Sequence, residues 1–180
     1  FIIFDLGGAS TEVTLVRDRH IAEVVSLPIG ALTLTGTYQK GEEYTPKELE
    51  KMTKAVRNVI KEHTWLRNVK LPLLGIGGTA RNIAKMDQRK LSYPITKLHN
   101  YEISYHRFHE IFEDVKGKSL EERKKISGLS SDRADIIIAG LTIVEELFNY
   151  VNTKTLVVGG CGLREGLFYD YYGTHYLGGN

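Results

Sequence analysis

The sequence predicts an α/β fold: a mixed five-stranded sheet, made of a three-stranded antiparallel meander continued by parallel strands, with helices on both faces. Three observations carry that expectation. A short apolar run ends in a glycine turn three times, in "FIIFDLGG", "LPLLGIGG" and "TLVVGG". Between the first two of these, "TEVTLVRD" and "HIAEVVSLPIG" read as strands joined by a tight turn at Asp18 and Arg19. The segments that follow switch to a helical period. A meander followed by helix, strand, helix, strand and helix is satisfied by one sheet carrying helices.

Phe1 to Phe4 read as a buried strand, with Asp5 at the rim of the sheet and Gly7 and Gly8 in the turn beyond it. In "TPKELEKMTKAVRNVIKEH", Thr45 and Glu48 form a capping box, Pro46 takes the first helical position, and Leu49, Met52, Val56, Val59, Ile60 and His63 share one face. His63 on that stripe reads as a packed or boundary residue. "LPLLGIGGTARNIAKM" repeats the opening pattern of strand, glycine turn and helix. Residues 88 to 130 are polar, with weaker helical signals near Tyr105 to Val115 and Leu120 to Lys125, and read as an insertion. "SSDRADIIIAGLTIVEELFNYV" is apolar around most of its circumference, so it is expected to be a central buried helix with Asp132 and Asp135 near its positive end. "TKTLVVGGCGLREGLFYDYY" closes the chain with strand, turn and helix.

These 180 residues suit one domain, and 42% hydrophobic with 26% charged residues is an ordinary globular composition. A net charge of +2 is too small to imply nucleic acid, and the basic runs Arg17 with Arg19 and Arg123 to Lys125 read as solvated faces. A single cysteine, Cys161, precludes an internal disulfide and a thiolate metal cluster and suits a reducing compartment, so a cytoplasmic protein is expected. The longest apolar candidate for a membrane span, "ADIIIAGLTIV", is short and contains Asp135. The chain starts within a strand, without an initiator Met, as a piece excised from a larger protein would.

"DLGGASTE" joins two carboxylates, Asp5 and Glu12, to glycines that let a ligand approach main-chain N–H groups, and to the hydroxyls of Ser10 and Thr11. Two carboxylates facing a phosphate repel it unless a divalent cation lies between them. Magnesium, which takes one or two carboxylates plus phosphate oxygens and waters, fits that composition. If the three glycine turns share one sheet edge, they converge on the same ligand.

Taken in order, "DLGGASTE", "SLPIGALTLT", "GIGGTARNIA", "GLSSDRADIIIAG" and "GLREGLF" resemble the exopolyphosphatase and guanosine pentaphosphate phosphohydrolase (Ppx/GppA) family over nearly the whole chain. The resemblance implies a ribonuclease H-like lobe of the actin-like ATPase superfamily, the second lobe of a two-lobe phosphatase whose first lobe is absent from these residues. It implies magnesium at Asp5 and Glu12, with Glu12 also serving catalysis beside a general base on the first lobe. It places Gly7, Gly8, Ala9, Ser10 and Thr11 in the phosphate cradle and Gly77, Gly78 and Thr79 in the facing loop. Arg133 and Asp135, and Arg164 and Glu165, match family motifs that imply structural roles. The implied partners are polyphosphate or guanosine polyphosphate, the first lobe and a possible second copy of the chain, with neither membrane nor nucleic acid.

Ala9 stands where the family has a third glycine, so the loop is strained if that position needs φ > 0. Ser127 replaces a common Pro before "GL". The rival readings are a kinase or ATPase of the same superfamily, binding adenosine at "VVGGCGLREG", and a non-catalytic phosphate-ligand sensor. "GIGGTA" also fits a short dinucleotide-binding pattern, but that requires a second strand ending in an acid, and "ITKLHNYE" makes a poor one.

Overall fold

A computed structural model describes residues 1–91 and 98–176. The opening apolar run forms β1 (Ile2–Leu6), followed by β2 (Thr11–Arg17) and β3 (His20–Leu27). The β2–β3 turn is the expected one, with Asp18 and Arg19 both at positive φ, 50° and 66°. Next come β4 (Leu73–Ile76), β5 (Tyr101–Ser104) and β6 (Thr155–Val158). They form one six-stranded sheet in the order β3-β2-β1-β4-β6-β5.

β1, β4 and β6 are mutually parallel, so their C-terminal ends and the three glycine turns lie at one edge of the sheet. The sixth strand is β5, an antiparallel edge strand in which Ile103 alone is fully buried. It begins at the last two residues of "ITKLHNYE", and residues 95 to 97 of that stretch lie outside the described residues. Because β5 runs antiparallel to β6 and is separated from β4, the parallel second strand required for dinucleotide binding is not formed there.

The helices are α1 (Ala31–Tyr38), α2 (Pro46–Lys61), α3 (Gly78–Lys90), α4 (Tyr105–Lys116), α5 (Leu120–Arg123), α6 (Ile137–Val151) and α7 (Leu163–Tyr176). The capping box of α2 is present: the Glu48 amide donates to Thr45 Oγ1 and the Thr45 amide to Glu48 Oε2, at 3.3 and 2.7 Å. Met52, Val56 and Ile60 turn the buried face of α2 against α6, which is apolar almost all round and ends at Asn152 in the left-handed region. His63 is half-buried beside Trp65, as a boundary residue.

Residues 88 to 130 are not a pendant insertion. Their helix α4 sends Phe108, Ile111, Phe112 and Val115 into the same core as the sheet and α6. Polar residues on the outer face of α4 conceal that stripe in a reading by composition. The expected third strand stops at Leu27 and not at Gly30: Pro28, which has no N–H for a ladder, opens a bend that leads into α1 at Ala31. Among the described residues no helix is long and apolar enough to cross a membrane.

Candidate active site

The first glycine loop is held by α1. The amides of Ala31, Leu32 and Thr33 donate to the carbonyls of Gly7, Gly8 and Gly8 at 3.0, 2.9 and 3.1 Å. The N-terminus of α1 therefore accepts the loop's negative dipole ends, satisfying orphan helix donors with main-chain oxygens. Gly30 makes this possible, since a Cβ there would lie 2.4 Å from Gly8 O. The loop's own amide at Gly7 closes a turn on Ser10 O, at 3.0 Å. Those of Gly8, Ala9 and Ser10 bond to nothing among the described residues and are available to an anion.

The geometry corrects the reason for the glycines. Neither Gly7 nor Gly8 has positive φ, and Ala9 does not either, so this loop makes no use of angles closed to other residues. Gly8 is required for space, because a Cβ would meet Leu32 Cδ1 at 2.7 Å. Ala9 is exposed and carries no left-handed strain.

Asp5 and Glu12 are register partners in the β1–β2 pairing, and Ser26 of β3 is the partner of Glu12 on its other side. Direct cross-strand partners project to the same face of a sheet, so Asp5, Glu12 and Ser26 form a row. Glu12 Oε1 accepts from Ser10 Oγ at 2.7 Å and from Ser26 Oγ at 2.8 Å. These bonds hold its pKa below the ordinary carboxylate value. Asp5 is shifted the other way, raised first by burial and then by the Glu12 charge, with Arg81 opposing both.

The second glycine turn closes on Asp5. Gly77 caps α3 at φ +94°, and a Cβ there would lie 3.0 Å from Asp5 Oδ1. The first amides of α3 emerge beside this carboxylate, at the positive end of the helix. Over Gly78 lies the guanidinium of Arg133, with Cζ 3.0 Å from where a Cβ would stand. Among the described residues no carboxylate pairs with the Arg133 side chain and it makes no hydrogen bond. Arg81, in the first turn of α3, is exposed and near enough to act on both Asp5 and Glu165.

Two expected hydroxyls point elsewhere. Thr11 is buried and its Oγ1 donates to Ile29 O at 2.7 Å, so its proton is committed to the fold. Thr79 is 4% exposed and packs on α6, where a Cβ at Gly140 would meet its Oγ1 at 2.8 Å. The third glycine turn is at the right edge but its three glycine amides are engaged. Gly159 donates to Gly75 O, Gly160 to His99 Nδ1 and Gly162 to Glu165 Oε2, at 2.8, 3.2 and 2.8 Å. That last bond, from the backbone, holds the pKa of Glu165 low.

The candidate site thus brings together Asp5, Glu12, Ser10, the amides of Gly8, Ala9, Ser10 and Gly78, and the row partner Ser26, flanked by Arg81 and Arg133. Ser26 and the placement of the Arg133 guanidinium over Gly78 escape a sequence reading. Only strand register could have revealed Ser26, whereas Arg81 lies three residues past Gly78 and was accessible from the helix start.

The model of the Ppx/GppA phosphatase family matches residues 1–175. The chain belongs to that family. It is 28% identical to "Exopolyphosphatase 2" of Mycobacterium tuberculosis, covering 82% of this chain and 46% of that protein. It is 25% identical to the "Guanosine-5'-triphosphate,3'-diphosphate pyrophosphatase" of Photobacterium profundum, covering 94% of this chain and 33% of that protein. The crystal structure of the Aquifex aeolicus Ppx/GppA family member superposes with a TM-score of 0.85 at 28% identity, over 97% of this chain and 56% of that one. The mixed sheet with its helices is the ribonuclease H-like, actin-like fold of the Ppx/GppA proteins, with six strands where five were expected. The chain spans less than half the length of these curated relatives.

Two hard oxygen donors on one face, one of them destabilised as an anion by burial and by its neighbour, suit a divalent cation. Among the described residues no cluster of three or more metal-ligating side chains exists, so such a cation would take its other ligands from phosphate and water. That is the habit of magnesium.

Proposed function

We propose that this chain provides the magnesium- and phosphate-binding half of a hydrolase that removes terminal phosphate from inorganic polyphosphate. The observation that carries the reading is the opposition of Asp5 and Glu12 beside a glycine loop whose carbonyls are turned away onto α1. Asp5 and Glu12 would hold the cation, whose contribution is to neutralise charge on the phosphate oxygens.

The chain's own groups do the rest of the binding. The amides of Gly8, Ala9 and Ser10 and the N-terminus of α3 receive phosphate oxygens, and Arg81 and Arg133 add positive charge around them. Ser10 and Ser26 keep Glu12 ionised and fix its orientation. Hydrolysis forms a bond from water oxygen to the terminal phosphorus, breaks the bridging P–O bond and leaves the shortened chain as the leaving group. The glutamate that orients this water and takes its proton belongs, in this reading, to a first lobe outside these residues. A positioned general base contributes about 10²- to 10⁴-fold.

The resemblance to a guanosine-5'-triphosphate,3'-diphosphate pyrophosphatase supports a second reading, in which the same chemistry acts on the terminal phosphate of guanosine pentaphosphate. The deciding experiment measures phosphate release from polyphosphate and from guanosine pentaphosphate, by this chain alone and by the chain joined to a first lobe. Magnesium-dependent release only by the joined protein supports the reading, and the ratio of the two rates decides the substrate. Equal turnover by the lone chain would place the catalytic machinery within these residues.

A further inference from the structure

Arg123 heads the large side chains removed from solvent, at 1% exposure, although it opens a basic run that reads as a solvated face. Lys124 and Lys125 beside it are exposed, so the run divides after its first member. The Arg123 guanidinium is bonded to carbonyls: Nε donates to Ala134 O at 2.9 Å and Nη1 to Lys118 O at 2.8 Å. Its Nη2 is buried with no hydrogen-bond partner among the described residues. Glu43, Tyr44 and Asp135 act on it only through space, and burial pushes its pKa down. A buried charge without an ion-pair partner opposes folding, and an apolar side chain would fill the same volume without that cost.

What this arrangement fixes is the chain segment next to it. Ala134 follows Arg133 directly, and the segment is fastened to α3 at two other points. The Ser130 amide donates to Asn82 Oδ1 at 2.8 Å, while Asn82 Nδ2 donates to Gly78 O at 2.9 Å. Gly128, at φ +94°, lies so close to the peptide between Lys85 and Met86 that a Cβ would come within 2.6 Å. Those contacts hold the segment from the α3 side, and Arg123 holds it from α5. Between them, the Arg133 guanidinium is set over Gly78. A cation at the positive end of a helix is unfavourable by itself and becomes favourable when an anion joins it.

We infer that Arg123 is a positioning residue: its bond to the Ala134 carbonyl sets the Arg133 guanidinium over the start of α3, where it meets a phosphate oxygen. The inference rests on the phosphate site proposed above. It gives a functional reason for residues 88 to 130, which carry α5 and hence Arg123 to the back of the site.

The test is calorimetric titration of this chain with sodium tripolyphosphate in magnesium buffer, for the wild type, R133Q, R123M, R123K and the double variants R133Q/R123M and R133Q/R123K. Circular dichroism and melting curves verify that each is folded. R133Q and R123M are each expected to weaken binding about tenfold, the loss of one charge-assisted contact. R123K, able to donate to the Ala134 carbonyl but not to both carbonyls at the same angles, falls between R123M and the wild type. In the R133Q background neither change at residue 123 has any further effect, because the group it positions is gone. This coupling separates positioning from a merely structural role, which would lower the melting temperature and leave affinity alone. If R123M does not fold, R123K with its double variant carries the same test. Folded single variants with wild-type affinity, or losses that multiply in the double variants, would overturn the inference alone. A wild-type chain that binds no tripolyphosphate would overturn it together with the phosphate site.

Discussion

Asp5 and Glu12 face each other across β1 and β2, and their surroundings push the two carboxylates in opposite directions. Burial raises the pKa of Asp5, and the Glu12 charge raises it further. Two serine hydroxyls lower that of Glu12. A pair tuned apart in this way has one member that stays ionised and one that gives up its charge readily. A divalent cation bound between them would remove the repulsion and favour ionisation of both.

Asp5 therefore opposes folding at neutral pH in the absence of metal. A raised pKa contributes stability below the unfolded value, near 3.8, and that contribution is lost as pH rises through the folded value. Asp5→Asn is expected to melt slightly higher than the wild type at pH 7 in chelator, and at the same temperature near pH 3. Magnesium with tripolyphosphate should raise the melting temperature of the wild type and leave that of Asp5→Asn unchanged. A variant that melts lower at pH 7 in chelator would show that the carboxylate is stabilising where it stands.

Glu12 behaves in the opposite sense. Its lowered pKa contributes stability above the unfolded value, lost as pH falls through the folded one. Ser26→Ala removes one of the two hydroxyl donors to Oε1. The pKa of Glu12, followed by carboxyl-carbon NMR, is expected to rise toward the ordinary value, while that of Asp5 falls slightly wherever Glu12 has taken up its proton. An unchanged Glu12 titration would mean that Ser10 and the Glu12 backbone amide set it without Ser26.

The loop substitution that looks hazardous in the sequence is neutral in the structure. Ala9 lacks positive φ, so Ala9→Gly relieves no strain and only loosens the unfolded chain. The expected result is a loss of about 0.4–1 kcal/mol, or roughly 1–4 °C in melting temperature, with tripolyphosphate binding retained. A gain in melting temperature would show that the loop resists the alanine after all.

Elements set by local chemistry were legible in the sequence. The Thr45–Glu48 capping box is an i to i+3 relation, and the meander turn at Asp18 and Arg19 depends on two adjacent residues. The sheet edge was legible because an apolar strand followed by glycines recurs three times. What stayed hidden depends on tertiary contact. The helix α1, "ALTLTGTY", contains three threonines and a glycine, and it is anchored by the carbonyls of Gly7 and Gly8 more than twenty residues earlier. Strand β5 has four residues and one fully buried side chain, too little pattern to register. Arg123 and Arg133 carry the same side chain, one sealed inside and one laid over Gly78, and only packing tells them apart. Thr11 and Thr79 were expected among the phosphate-binding residues from the family resemblance, yet their hydroxyls turn inward.

The glycines offer a paired test of which constraint is functional. Gly77 has φ +94°, and an added Cβ would stand 3.0 Å from Asp5 Oδ1 and 3.1 Å from Leu6 O. Gly77→Ala is expected to cost about 1–2 kcal/mol from the backbone alone, because an L side chain is disfavoured there. It should also displace the Asp5 carboxylate and weaken magnesium-dependent tripolyphosphate binding. Gly36 is the control. It lies inside α1 at ordinary φ with nothing within 4 Å of an added Cβ. There Gly36→Ala should stabilise the chain by about 0.5–1 kcal/mol through helix propensity and leave binding untouched. Melting curves read the stability and calorimetry reads the binding. If Gly77→Ala lost stability but kept full affinity, the second loop would be a turn that only supports the fold, and Asp5 would not depend on it for its position.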